Sequence, residues 1–232
     1  MNPSRPSRGA TPGYGAAGAI RNLLWALATL VALTGAAAAE VRILAFGDSL
    51  TAGFGLPAEQ GFVPQLQAWL RAHGAPDATV INAGVSGDTT AGGLARLDWA
   101  LGDDVDAVIV ELGANDMLRG LDVGEMRRNL DAILTQIDAR GLPVLLAGIP
   151  APPNYGKEYA RNFRATFKDL AAEHDAIYVR SFLGGMGERS MREVMRLLQP
   201  DGLHPTAEGV ALNVAAIGPQ VLELVARARA KQ

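Results

Sequence analysis

Gly47-Asp48-Ser49-Leu50 follows an apolar run, and Asp201-Gly202-Leu203-His204 lies near the C-terminus. Together they supply a hydroxyl, an imidazole and a carboxylate, the groups that make a serine reactive at neutral pH. In this reading Ser49 is the nucleophile. His204 takes its proton and returns it to the leaving alkoxide or thiolate. Asp201, three residues before the histidine, fixes the tautomer and stabilises the imidazolium. Two other segments, Gly84-Val85-Ser86-Gly87-Asp88 and Gly113-Ala114-Asn115-Asp116, bring donors for the negative oxygen of a tetrahedral intermediate. Those donors are the backbone N–H groups of Ser49 and Gly87 and the side-chain amide of Asn115. A D-x-x-H spacing alone fits a surface turn with a helix cap. Beside Ser49, Gly87 and Asn115 it fits acyl transfer, and the set points to hydrolysis of acyl esters or thioesters.

The remaining polar residues read as structure. Asp48 and Asp116 are expected to hold their own loops through backbone bonds. Glu111, at the end of an apolar strand, is expected to be a paired structural carboxylate. His73 and His174 fall near helix ends and read as solvated surface groups. Gly184-Gly185-Met186-Gly187 lacks the Lys-Ser/Thr of a P-loop and reads as a flexible connection. The three histidines of the chain have no H-E-x-x-H spacing and there is no cysteine, so neither a metal site nor thiolate chemistry is expected. No cofactor is implied. The absence of G-x-S-x-G sets the chain apart from the nucleophile elbow of the α/β-hydrolases.

These residues must be positioned by a scaffold, and the hydrophobic pattern indicates which. Val41–Phe46, Thr79–Asn82, Ala107–Leu112, Val144–Ile149 and Ala176–Val179 are short, β-branched and almost continuously apolar, as strands of a parallel sheet covered on both faces are. Between them run stripes at helical spacing: Phe62/Leu66/Trp69/Leu70, Met126/Leu130/Ile133/Leu134/Ile137, Tyr159/Phe163/Phe167/Leu170 and Val210/Val214/Ile217/Val221/Leu224. Pro205 suits the start of the last helix. Strand–helix alternation predicts a doubly wound α/β domain. In such folds ligands bind beyond the carboxyl ends of the strands. Ser49, Gly87 and Asn115 each follow a strand, and Asp201 and His204 precede the last helix, so all five are expected on one rim.

The N-terminus reads differently. Arg5, Arg8 and Arg21 precede an apolar stretch, Leu23 to Leu33, that is short for a bilayer span, and Ala36 to Ala39 offers an A-x-A cleavage pattern. Residues 1–39 are therefore expected to be a cleaved signal peptide, with an uncleaved anchor as the alternative. Residues 40–232 would form one domain. The formal net charge is −3, and −6 once the three leader arginines are gone. No basic patch suggests nucleic acid or an anionic membrane surface.

The four motifs, in this order, resemble the SGNH, or GDSL, hydrolase family, whose lettered residues would be Ser49, Gly87, Asn115 and His204 here. The resemblance runs from Val41 to about Val225. It is closest to the bacterial thioesterase, lysophospholipase and arylesterase group, on Gly47–Gly53, Ser86–Leu94, Glu111–Asp116 and Asp201–Pro205. It implies a flavodoxin-like three-layer α/β/α sandwich with a five-stranded parallel sheet. It further implies no cofactor, a small-molecule acyl ester or thioester substrate, and a periplasmic or secreted location. A monomer is expected. Met117, Leu118, Phe54 and the segment 149–155 are candidate walls of an acyl groove, and 184–198 is a Met- and Arg-rich stretch that could line it. A carbohydrate O-acetyl esterase and a non-catalytic envelope binding protein are the rival readings.

Overall fold

The computed structural model describes residues 40–151, 155–187 and 189–232; the expected signal peptide, 1–39, lies outside the described residues. Five strands form one parallel sheet in the order β2-β1-β3-β4-β5: β1 Val41–Gly47, β2 Ala78–Gly84, β3 Ala107–Glu111, β4 Val144–Ala147 and β5 Ile177–Val179. All five lie where the apolar runs predict them. The register pairs Gly47 with Gly84 on one side and with Glu111 on the other, so three strands end level beneath one rim.

Eight helices accompany the sheet among the described residues: α1 Ser49–Ala52, α2 Phe62–Ala72, α3 Thr90–Ala100, α4 Ala114–Leu118, α5 Val123–Ala139, α6 Lys157–Glu173, α7 Met191–Arg196 and α8 Ala207–Arg229. α2 and α8 pack together over one face of the sheet, and α3, α5 and α6 cover the other. This is the three-layer sandwich that the alternation implies. The four stripes face the core: Leu66, Leu70, Leu130, Ile133, Phe163, Leu170, Val221 and Leu224 are fully buried. α8 is long and apolar enough to cross a bilayer by composition, but its apolar residues form this stripe. Thr206 caps α8 by accepting from Gly209 N–H, which puts Pro205 one residue outside the helix rather than within it. Pro219, inside α8, had no signal in the apolar pattern. The neighbouring Gly218 lets the indole of Trp69 lie against the helix, where a Cβ would overlap the ring.

α3 was not visible as a stripe. Its sequence TAGGLARLDWA holds two adjacent glycines, and only Leu97 among its large apolar residues is fully buried. A Cβ at Gly93 would overlap Leu112, so the missing side chain is what seats this helix against the end of β3.

Two histidine and loop expectations need correction. His174 is not a solvated surface group: its ring is mostly buried, with Nδ1 at 2.6 Å from Asp138 and Nε2 at 2.8 Å from Asp131, both on α5. Burial alone would lower its pKa, but the hydrogen bonds and charges of the two carboxylates outweigh it and the net shift is upward. A folded-state pKa above the unfolded value near 6.5 contributes stability that is complete below about pH 6.5 and fades as pH rises through the folded value. His174→Ala is therefore expected to cost about 1 kcal/mol at pH 6, given half-exposed carboxylates, and less at pH 9. Urea unfolding at the two pH values checks this; a larger loss at pH 9 contradicts it. The glycine run at 184–187 is likewise no loose connection. Gly184–Met186 forms a 3₁₀ turn packed on α8, with Gly185 so close to the Leu212 backbone that a Cβ would overlap it.

Candidate active site

The serine is presented by a close junction between strand and helix. β1 ends at Gly47 and the chain enters α1 at once, with Asp48 as its cap accepting from Leu50 N–H at 3.0 Å. The junction needs two glycines. A Cβ on Gly47 would strike the Thr51 hydroxyl and the Glu111 carbonyl, and one on Gly84 would strike the Ala52 backbone. Ser49 is the first residue of the turn, and its N–H makes no hydrogen bond among the described residues. Such an N–H points outward as a ready donor.

The histidine arrives from the far end of the chain. Residues 198–205 fold back on themselves, with Leu198 and Pro205 bridged and Gly202 at φ +70° in the bend. Asp201 Oδ1 accepts from Leu203 N–H at 2.9 Å and His204 N–H at 3.0 Å, while Oδ2 accepts from the His204 ring Nδ1 at 2.6 Å. Those bonds, first the one from the imidazole, hold the Asp201 carboxyl down to about 2. His204 Nε2 stands 2.8 Å from Ser49 Oγ, 155 residues away in sequence. With Nδ1 donating to the carboxylate, Nε2 is the atom free to accept from the hydroxyl. The ring of Phe54 leans on the imidazole at 4.6 Å. Gln199 ties these pieces: its N–H donates to His204 O at 2.7 Å, and its Nε2 donates to Phe54 O at 2.8 Å and Pro205 O at 3.0 Å. No motif marks Gln199 in the sequence.

The expected oxyanion donors lie beside the serine. Gly87 adopts φ +87°, which favours glycine, and its N–H is also without a partner among the described residues. Asn115 is in α4 and donates one amide hydrogen to Asp48 Oδ2 at 3.1 Å, leaving the other for a ligand. Ser49, Gly87, Asn115 and His204 all border one groove. Asp48 thus holds more than its own loop. Asp116 does not hold its own loop at all: it accepts from Thr90 N–H at 2.8 Å and from the Thr90 hydroxyl at 2.6 Å, anchoring the start of α3. Glu111 is buried but has no cation partner among the described residues.

Two arginines, both missed in the sequence, brace the Gly87 loop. Arg119 Nη2 donates to Gly87 O at 2.7 Å. Arg96 Nε contacts Asp88 Oδ2 at 2.5 Å, its Nη2 donates to Gly47 O at 2.9 Å, and its guanidinium covers the Phe46 ring at 4.2 Å. It joins the loop after β2 to the end of β1. Its only sequence signal is its place eight residues after Asp88. Arg96→Met is expected to destabilise by about 2–3 kcal/mol, less than a fully buried pair because both side chains keep some exposure. It should also lower kcat, since Asp88, next to Gly87, is no longer tied to Gly47. Chemical denaturation and kinetics check this; unchanged values in both contradict it.

The groove beside Ser49 holds about 1050 Å³, at the upper end of small-molecule sites. Phe54, Met117, Leu118 and Ile149 line it as expected, and so do Met186, Val194 and Leu198 from the Met- and Arg-rich stretch. Tyr155 does not. It donates to Leu118 O at 3.2 Å and borders a separate depression with Gly120 and Tyr159. Residues 152–154 and 188 lie outside the described residues. Among the described residues no group of three or more His, Asp or Glu is arranged to hold a metal ion.

Comparison with known proteins finds relatives over most of the chain. Residues 45–212 match the model of the GDSL-like Lipase/Acylhydrolase family. Esterase TesA of Pseudomonas aeruginosa is 42% identical over 184 residues, covering 79% of this chain and 88% of its own. The Escherichia coli K12 protein named thioesterase 1/protease 1/lysophospholipase L1 is 37% identical over 200 residues, covering 84% and 90%. Among solved structures, the psychrotrophic esterase EstA from Pseudoalteromonas, inhibited by monoethylphosphonate, superposes with a TM-score of 0.72 at 34% identity, covering 80% and 99%. The chain belongs to the GDSL, or SGNH, hydrolase family. The hydrolase is an enzyme acting on carboxylic ester bonds.

Proposed function

We propose that this GDSL-family hydrolase cleaves acyl esters and thioesters through an acyl-serine on Ser49. Ser49 Oγ attacks the substrate carbonyl carbon as its proton passes to His204 Nε2. The carbonyl π electrons move onto the oxygen, which the N–H groups of Ser49 and Gly87 and the free amide hydrogen of Asn115 stabilise. The intermediate collapses, the C–O or C–S bond breaks, and the alkoxide or thiolate leaves with the proton from His204. Water then repeats the sequence: His204 takes its proton, the hydroxide attacks the acyl-serine, and Ser49 recovers its proton as the acid departs. Asp201 stays ionised throughout and holds the imidazole. The observation that carries this reading is the hydrogen-bond chain from Ser49 to His204 to Asp201, 2.8 and 2.6 Å, at the head of an apolar groove.

The groove favours substrates with an apolar acyl chain over acetylated glycans. Met117, Ile149, Met186, Val194 and Leu198 offer such a chain contact and offer sugar hydroxyls no partners. Thioesters fit because the leaving group needs only the His204 proton. Residues 1–39 serve as a leader that exports the protein to the periplasm, where the remaining chain works as a monomer. A panel of p-nitrophenyl esters from acetate to palmitate, acyl-CoA thioesters and an acetylated glycan tests the substrate reading. Rising kcat/KM with acyl length up to a limit supports it; activity confined to the glycan overturns it.

A further inference from the structure

Glu111 is a fully buried carboxyl that the chemistry above does not use. It ends β3, directly beneath the turn that carries Ser49. Its Oε2 accepts from the Thr51 hydroxyl at 2.8 Å and from Asp48 N–H at 3.3 Å, so it grips α1 at both ends of the turn. Oε1 is buried and has no hydrogen-bond partner among the described residues. The charged and polar groups around it come from every neighbouring element. Asp48 faces it from the nucleophile turn. Arg96 of α3 spends its donors on Asp88 and Gly47 O. Asn115 of α4 bonds to Asp48, and Asp116 is tied to Thr90. His204 lies beyond Asp48 on the groove side and acts on the Asp48 charge. None of these supplies Glu111 with a counter-charge.

Two buried carboxyls side by side cannot both ionise. Burial pushes the pKa of Glu111 well above the ordinary carboxylate range, and the neighbouring Asp48 charge pushes it further. Burial raises Asp48 as well, and the net shift is upward, but Leu50 N–H, Asn115, His204 and Glu111 oppose it, so Glu111 is raised the further of the two. Burial without a counter-charge therefore favours the proton on Glu111 over Asp48.

From this geometry we propose that Glu111 is a positioning residue: as a neutral acid it donates a hydrogen bond to Asp48, and Asp48 in turn holds the Asn115 amide in the direction that an oxyanion needs. This rests on Asn115 serving as an oxyanion donor. Asp48 accepts from Leu50 N–H and Asn115 Nδ2, the proposed bond from Glu111 would be the third, and each bond restricts where the next can lie. When Glu111 ionises at alkaline pH, two anions face each other under the turn. Asp48 is pushed off, and the amide loses its guide. Turnover falls while the groove, which binds the acyl chain, is untouched.

The test is the pH profile of kcat for the wild-type enzyme and two variants. Glu111→Gln keeps a neutral donor and an acceptor in place. It is expected to retain kcat within about threefold at pH 7 and to lack the alkaline decline expected of the wild type. Glu111→Leu removes both and is expected to lower kcat by about 10²-fold with KM within about threefold, as small misplacements at a reacting centre do. A Glu111→Leu enzyme with wild-type kcat, or a Glu111→Gln enzyme with the wild-type alkaline limb, overturns the proposal. Should Glu111→Leu not fold, a carboxyl carbon-13 NMR titration of wild-type protein decides: a Glu111 signal at the protonated position at pH 7 supports the proposal, and an ionised one overturns it. Fluorophosphonate labelling of Ser49 reports on the acyl-serine reading alone. Labelled Ser49 with a negative Glu111 result would remove only the positioning role.

Discussion

Ser49→Ala is expected to lower kcat by about 10⁴- to 10⁶-fold, the range for loss of a nucleophile that works with a histidine. The groove also exposes Ser86 and Ser181, but neither is hydrogen-bonded to an imidazole, so neither can substitute. The same change should leave the fold alone. Among the described residues the Ser49 side chain makes one hydrogen bond, to His204, and its loss costs about 1 kcal/mol or less. The melting temperature should therefore move by only a few degrees. Kinetics on a p-nitrophenyl ester together with thermal unfolding check both halves. Turnover within tenfold of wild type would end the assignment of Ser49.

Asn115→Ala is expected to lower kcat by about 10²- to 10³-fold with little change in KM, because the amide's free hydrogen meets the oxygen only when charge develops on it. The substitution also removes a donor from Asp48, a buried carboxylate that keeps Leu50 N–H. Some stability is lost with it, about 1 kcal/mol. Asn115→Asp should be worse than alanine, since it sets a second carboxylate against Asp48 where the amide used to donate. Steady-state kinetics with matched unfolding curves separate the effects. Equal kcat for wild type and Asn115→Ala would show that the oxyanion is held elsewhere.

The sheet and four of the long helices were legible in the sequence because their residues bury a whole face. Continuous runs such as those of β1 and β3 leave no alternative to a doubly covered sheet. The motifs were legible because nucleophile, base and donors need particular residue types. What stayed hidden shares one physical character: it works by backbone contact or by long-range polar bonds. α3 packs through the bare surface of Gly93 rather than through a stripe. Gln199, Arg96 and Arg119 act on carbonyl oxygens, which any sequence offers everywhere. His174 read as surface because the carboxylates that clasp it lie 36 and 43 residues earlier. Glu111 read as paired because a buried charge needs a partner. The structure gives it no cation among the described residues: Glu111 accepts from Thr51 and Asp48 N–H, and its close neighbour is another carboxylate, Asp48.

The most direct test of the central claim is mass spectrometry of the protein after reaction with a fluorophosphonate, with the modified peptide sequenced. One adduct per chain, on Ser49, and its loss in His204→Ala are the predicted results. An unmodified protein, or an adduct on any other residue, would contradict the account.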